Sequence, residues 1–190
     1  MNKLFIYALD LLGDMMIIVN KKYKLSKNYI PNNLVKISDK FSNKEIYVID
    51  VVKNNFEKMC SDALNYNLYI IAMSGYRSYE YQENLYNEYL EIDKPEVVDT
   101  YSAKPGHSEH QTGLAIDVCT NTKDYIEFID TEEYKWVKDN CYKYGFIIRY
   151  PKGKENITGY KFEPWHIRYI GDKAKYIYKN NITLEEYLKK

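Results

Sequence analysis

This chain has no excess charge of either sign. Its 27 lysines and arginines balance its 27 aspartates and glutamates. A nucleic-acid partner normally brings a basic surplus, so that class of function is set aside. The chain also has too few cysteines for a disulfide framework. Cys60, Cys119 and Cys141 are odd in number and irregular in spacing, which suits a reducing compartment. None has the spacing of a metal knuckle. Cys119 is read as a core residue, with lining of the site as the alternative. A long uninterrupted apolar run is missing as well. The Leu4–Val19 stretch is broken by Asp10, Gly13 and Asp14, so it is too short and too acidic to span a bilayer. It also lacks the basic start and small-residue cleavage site of a secretory signal. The expectation is a segment (residues 1–19) packed on the domain, and a soluble cytoplasmic protein without stable membrane insertion. A degenerate membrane-targeting segment is the alternative. Repeats, linkers and low-complexity tracts are absent too, so the 190 residues are expected to form one domain with an adequate core, its main body spanning 20–190.

Histidine is scarce, with three in the chain, and all three lie in or beside two short clusters. The first cluster is Ser108-Glu109-His110-Gln111-Thr112-Gly113-Leu114-Ala115-Ile116-Asp117. The second is Glu163-Pro164-Trp165-His166. His110, Asp117 and His166 make a three-ligand set of the kind that leaves a fourth zinc position open for water. Glu163 stands where a general base could act on that water. The competing reading is that each His–acid pair is an ordinary structural hydrogen bond.

The local pattern favours a site. Leu114, Ile116 and Val118 alternate with Ala115 and Asp117, which predicts a short strand with its apolar face inward. Gly113 supplies the bend that lets His110 and Asp117 converge. Glu163 and His166 are three apart and would face opposite ways in a straight strand. Either Pro164 breaks the strand or the pair sits at its mouth. His107 is read as a rim residue.

Elsewhere the pattern predicts helices from Asp50 as a candidate N-cap (Val52, Phe56, Met59 and Ala63 on one face), from the cap Ser78 to about Glu91, and from Thr131 to a stop at Gly145. Strands are expected at Leu68–Met73 and Phe146–Tyr150. Loops are expected at Val97–Glu109 and Pro151–Gly159. Thr183 and Glu186 form a capping-box pattern for a terminal helix. The 22 tyrosines are expected mainly to cover core edges with their hydroxyls in water.

Three motifs in order, Ser74-Gly75-Tyr76-Arg77-Ser78, Ser108-x-His110-x-x-Gly113-x-Ala115-x-Asp117 and Glu163-Pro164-Trp165-His166-x-Arg168-Tyr169, resemble the zinc D-alanyl-D-alanine peptidases of the VanY and VanXY type. The similarity runs from about Asn20 to about Gly171. The resemblance implies an α+β domain whose small antiparallel sheet carries the zinc site, with helices packed around it. It implies His110, Asp117 and His166 as zinc ligands, Glu163 as catalytic base and Arg77 as electrophilic helper. It gives Ser108 and Gln82 roles in holding the substrate, a peptidoglycan precursor peptide ending in D-Ala-D-Ala. Carboxypeptidase and dipeptidase activity both fall within the resemblance, as do glycopeptide resistance and wall recycling. Ser74 stands where a dipeptidase profits from an acid near Arg77, so activity on longer peptides is expected to dominate unless Glu80 or Glu109 serves instead. A non-catalytic zinc module that binds wall peptide is the alternative reading.

Overall fold

Period-two apolar alternation and helical-period stripes sort the chain into a main sheet, a small two-stranded sheet and helices on their flanks. The computed structural model describes residues 15–122 and 126–189. Most of the Leu4–Val19 run lies outside them. Its described end packs Met15 and Ile17 against the core. Two short strands, β1 (Leu34–Lys36) and β2 (Tyr47–Ile49), pair antiparallel. Helix α1 (Asp50–Leu64) follows at once. Its buried stripe of Val52, Phe56, Met59 and Ala63 is the expected one, but Ile49 occupies the cap position and Asp50 is the first helical residue. There the carboxylate favours the positive end of the helix without capping it.

Strand β3 (Ile70–Ser74) leads to helix α2 (Tyr79–Leu90), whose cap is Ser78: its hydroxyl accepts from the Tyr81 amide. The loop expected from Val97 starts later, because Val97 and Val98 end a single-turn helix, α3 (Pro95–Val98), started by a proline at its first position. A 3₁₀ turn (Glu109–Thr112) precedes β4 (Ala115–Thr120). Helix α4 (Glu132–Asn140) is capped by Thr131 and continues as a 3₁₀ turn that stops at Gly145. Strand β5 (Phe146–Tyr150) has its expected bounds. The Pro151–Gly159 stretch carries a short helix, α5 (Glu155–Thr158), before β6 (Glu163–Tyr169). Helices α6 (Ala174–Asn180) and α7 (Leu184–Leu188) end the fold, α7 with the capping box of Thr183 and Glu186.

The main sheet is antiparallel with order β3-β4-β6-β5. One face packs Ile116, Val118 and Ile167 against α1 through Phe56 and Met59, all fully buried. The other face holds the charged residues of both clusters. Among the described residues, no helix is long and apolar enough to cross a membrane.

The exit of β3 fixes how the two faces join. The Tyr76 amide donates to the Tyr47 carbonyl at 2.7 Å, and the Arg77 amide donates to the His110 carbonyl at 3.2 Å. Gly75 lies so close to β2 that an added Cβ would stand 2.6 Å from both Ile46 Cγ2 and the Tyr47 carbonyl oxygen. Gly75→Ala is therefore expected to lose about 1–3 kcal/mol by overpacking. Urea unfolding measures this; a variant as stable as the parent would show that the β2–β3 contact yields freely.

Candidate active site

Antiparallel pairing brings the two clusters together. Asp117 of β4 lies directly opposite His166 of β6, and Ser74 of β3 lies opposite Asp117 on the other side. Gly113 takes φ +69° as it ends the 3₁₀ turn, a left-handed conformation open to glycine at little cost. The turn folds His110 back over β4, so that its Nε2 lies 3.1 Å from Asp117 Oδ2. His166 Nδ1 is 3.2 Å from Asp117 Oδ1. The two imidazoles meet edge to face, with ring centres 4.9 Å apart.

The geometry of Glu163 and His166 resolves the open alternative. Between the pairs Ile148↔Ile167 and Tyr150↔Glu163, β5 advances two residues while β6 advances four. This bulge contains Pro164, which has no amide to donate. It turns both side chains to one side, and Glu163 Oε2 stands 3.4 Å from His166 Nδ1.

The donor set fits a metal ion. One ligand atom from each of His110, Asp117 and His166 lies within 4.8 Å of the other two. His110 Nδ1 is engaged by the Gly75 carbonyl at 2.7 Å, which leaves Nε2 as the free lone pair. His110 Nε2 and Asp117 Oδ1 are buried without a hydrogen-bond partner among the described residues. Such atoms are costly to bury unless something satisfies them. Two imidazoles, which are borderline donors, with one carboxylate oxygen form a set suited to Zn²⁺.

The electrostatics separate the groups. Burial would raise Asp117, but the adjacent imidazoles of His110 and His166 hold it well below the usual carboxylate range. Burial, together with the Arg77 cation, lowers His110 to about 4. Burial also lowers His166, but the carboxylates of Asp117 and Glu109 outweigh it and raise the group to about 9. Burial lifts Glu163 to about 7, the range in which a carboxylate both takes and returns a proton near neutrality.

Two spaces meet at this point. A small cavity of about 80 Å³ is lined by Arg77, Gln82, Ser108, Tyr150, Tyr160 and Glu163. A wider cleft of about 560 Å³ shares Arg77 and Glu163 and opens past Lys44, Tyr81, Lys161 and Trp165. Gln82 is fixed by donating to the Ala103 carbonyl at 2.7 Å, and its Oε1 is unpartnered among the described residues. The Ser108 hydroxyl accepts weakly from the His110 amide at 3.3 Å. All seven residues singled out in the sequence therefore border one locus. His107 stays at the rim, its Nδ1 2.8 Å from the Asn20 carbonyl oxygen, and Cys119 is buried outside both spaces. Sequence reasoning missed Tyr150 and Tyr160, whose rings wall the small cavity, and the fully buried Arg149. An arginine inside the apolar run Phe146–Tyr150 was the available signal.

A sheet that gathers His, Asp and His at one point, with a carboxylate and a guanidinium beside them, is the constitution of a mononuclear metallohydrolase centre. The profile of the family described as VanY: D-alanyl-D-alanine carboxypeptidase matches residues 45–172, and the chain belongs to that family. The Bacillus subtilis (strain 168) protein YodJ is 42% identical over 191 residues, which cover 93% of this chain and 68% of YodJ. Among solved structures, the LdcB LD-carboxypeptidase superposes with a TM-score of 0.84 at 42% identity, over 90% of this chain and 84% of that one. A variant of the vancomycin resistance D,D-pentapeptidase VanY in complex with Zn(II) superposes with a TM-score of 0.77 at 31% identity, over 92% and 99% of the two chains.

Proton competition gives a test of the metal site. A metal must displace the His166 proton at any pH below about 9, whereas His110 at about 4 is already neutral near pH 7. Zinc affinity is thus expected to rise about tenfold per pH unit from roughly pH 6 to pH 8. Chelator competition measures it; an affinity independent of pH would contradict the ligand set.

Proposed function

We propose that this protein hydrolyses the peptide bond before a C-terminal D-alanine in cell-wall peptides, at a zinc held by His110, Asp117 and His166. The observation that carries this reading is the convergence of those three donors beside Glu163, itself 3.4 Å from His166 Nδ1. When bound, zinc supplies Lewis acidity and a water of lowered pKa.

The chain's own residues supply the rest. Glu163 Oε2 accepts a proton from the attacking water and delivers it to the leaving amine, a task suited to its value of about 7. The Arg77 guanidinium, whose Nε has no hydrogen-bond partner among the described residues, stabilises negative charge developing on the carbonyl oxygen. Ser108 and Gln82 hold the terminal carboxylate or the backbone next to it in the small cavity. That cavity's volume, about 80 Å³, restricts the released residue to a small one. The rest of the peptide lies in the wide cleft.

The cleft also bears on substrate length. A free dipeptide places an ammonium next to the scissile bond, and an unpaired buried charge is costly. Glu109, considered from sequence as an acid to receive it, is committed to two buried arginines. Glu80 lines neither space, and apart from Arg77, Asp117, Glu163 and His166 of the site itself the charged residues that line the cleft, among the described residues, are Lys44 and Lys161. Longer peptides are therefore the better substrates.

A second reading concerns the residue before the D-alanine. Likeness to the LD-carboxypeptidase, by both identity and superposition, exceeds likeness to the D,D-pentapeptidase. This favours cleavage after an L-residue over the D-Ala-D-Ala bond. D-alanine release should be compared on a pentapeptide ending in D-Ala-D-Ala, a tetrapeptide ending in an L-residue and D-alanine, and free D-Ala-D-Ala. The free dipeptide is expected to be slowest, and equal or faster turnover of it would sink the length argument. Turnover of the tetrapeptide alone selects the second reading. Release from none of the three would refute the proposed function.

Glu163→Gln provides the mechanistic check. It should keep fold and zinc while losing about 10²–10⁴ in kcat, because an amide cannot take up and return the proton. Loss of zinc from this variant would instead make Glu163 a metal ligand.

A further inference from the structure

One carboxylate beside the proposed centre has no part in that chemistry. Glu109 is buried on the far side of His166. Its Oε1 accepts from Arg149 Nε and Arg168 Nη1, both at 2.7 Å. Burial would raise its pKa, but the two guanidiniums hold it well below the ordinary range. Its Oε2 has no hydrogen-bond partner among the described residues, and neither has His166 Nε2. These two orphans face each other at 3.6 Å. A closure of about 0.8 Å would satisfy both with a charge-assisted hydrogen bond.

We propose that Glu109 is the positioning residue of the metal centre: it accepts the Nε2–H of His166 and so fixes both the tilt of the ring and the tautomer that leaves Nδ1 free for the metal. The inference rests on the reading of His110, Asp117 and His166 as ligands. His166 already turns Nδ1 toward Asp117 and Glu163, which leaves Nε2 for Glu109. A ligating imidazole held this way by a carboxylate is both oriented and made more basic. His110 is held equivalently by the Gly75 carbonyl.

The support for Glu109 reaches the end of the fold. Arg149 is gripped by Glu185 of α7 through Nη1 at 2.8 Å and Nη2 at 2.6 Å. Arg168 Nη2 donates to the Met15 and Ile17 carbonyls at 3.0 and 2.7 Å. A chain of buried charge thus runs from the terminal helix to the imidazole. Glutamine cannot replace Glu109, because both oxygens must accept. An amide has one acceptor oxygen and would aim N–H at either an arginine or the imidazole.

The test combines zinc affinity, by chelator competition at fixed pH, with ¹⁵N–¹H NMR of the His166 ring in the zinc-loaded parent. Glu109→Gln is expected to weaken zinc binding by about 10–100-fold, and Glu185→Gln by a smaller factor. In the parent, zinc should sit on Nδ1, with an Nε2–H that resonates far downfield and exchanges slowly with water. A folded Glu109→Gln variant that loses less than about tenfold overturns the proposal. Should that variant fail to fold around its stranded arginine charge, the parent spectrum decides. A slowly exchanging Nε2–H supports the proposal; a rapidly exchanging one, or zinc on Nε2, overturns it. A His166→Ala variant with undiminished zinc affinity would remove the ligand reading itself, and so separates that failure from a failure of the Glu109 assignment alone.

Discussion

The site depends on one pairing, that of β4 with β6 in the register that sets Asp117 opposite His166. Side chains alternate faces along a strand, so a slip of one residue would send both groups into the apolar core and bring Ile116 and Ile167 out. The apolar face therefore fixes the polar one. Ile116 and Ile167 are themselves cross-strand partners, both fully buried. Two local departures complete the arrangement. The left-handed Gly113 returns His110 over the strand, and the bulge at Pro164 turns Glu163 to the same side as His166.

The polar face works against stability as much as it serves chemistry. Arg149 and Arg168 are completely buried, and so is nearly all of Glu109 and Glu185. Removing such charges from water costs several kcal/mol per ion, and their mutual attraction offsets this only with good geometry. The geometry here is good: the Arg149–Glu185 contact is bidentate, and each arginine also reaches Glu109 at 2.7 Å. A well-packed apolar cluster would hold the fold as well or better. The network is understandable as a means of placing a rigid acceptor next to an imidazole.

The proposed ligands were legible in the sequence because they are local in the chain. His110 and Asp117 share one motif, Glu163 and His166 another, and the alternation around Ile116 tells which way Asp117 points. The caps at Ser78, Thr131 and Thr183 were equally local. What stayed hidden depends on partners distant in sequence. The bulge in β6 exists only relative to β5, so the Glu163–His166 geometry had to stay open. The role of Glu109 requires Arg149 and Arg168, 40 and 59 residues away. The single-turn helices at Pro95–Val98 and Glu155–Thr158 are too short to impose a periodicity on a polar stretch. The cap at Ile49 escaped notice because Asp50 is the better capping residue by chemistry.

The central claim is that β4 and β6 are paired in order to bring three particular donor atoms to one metal. Anomalous diffraction from a crystal of the zinc-loaded protein, recorded on both sides of the zinc edge, addresses it most directly. The account predicts one strong peak in contact with His110 Nε2, the Asp117 carboxylate and His166 Nδ1, with Glu163 outside bonding distance and Glu109 against His166 Nε2. A peak ligated by Glu163 or Glu109, or one away from His110 and His166, would contradict it.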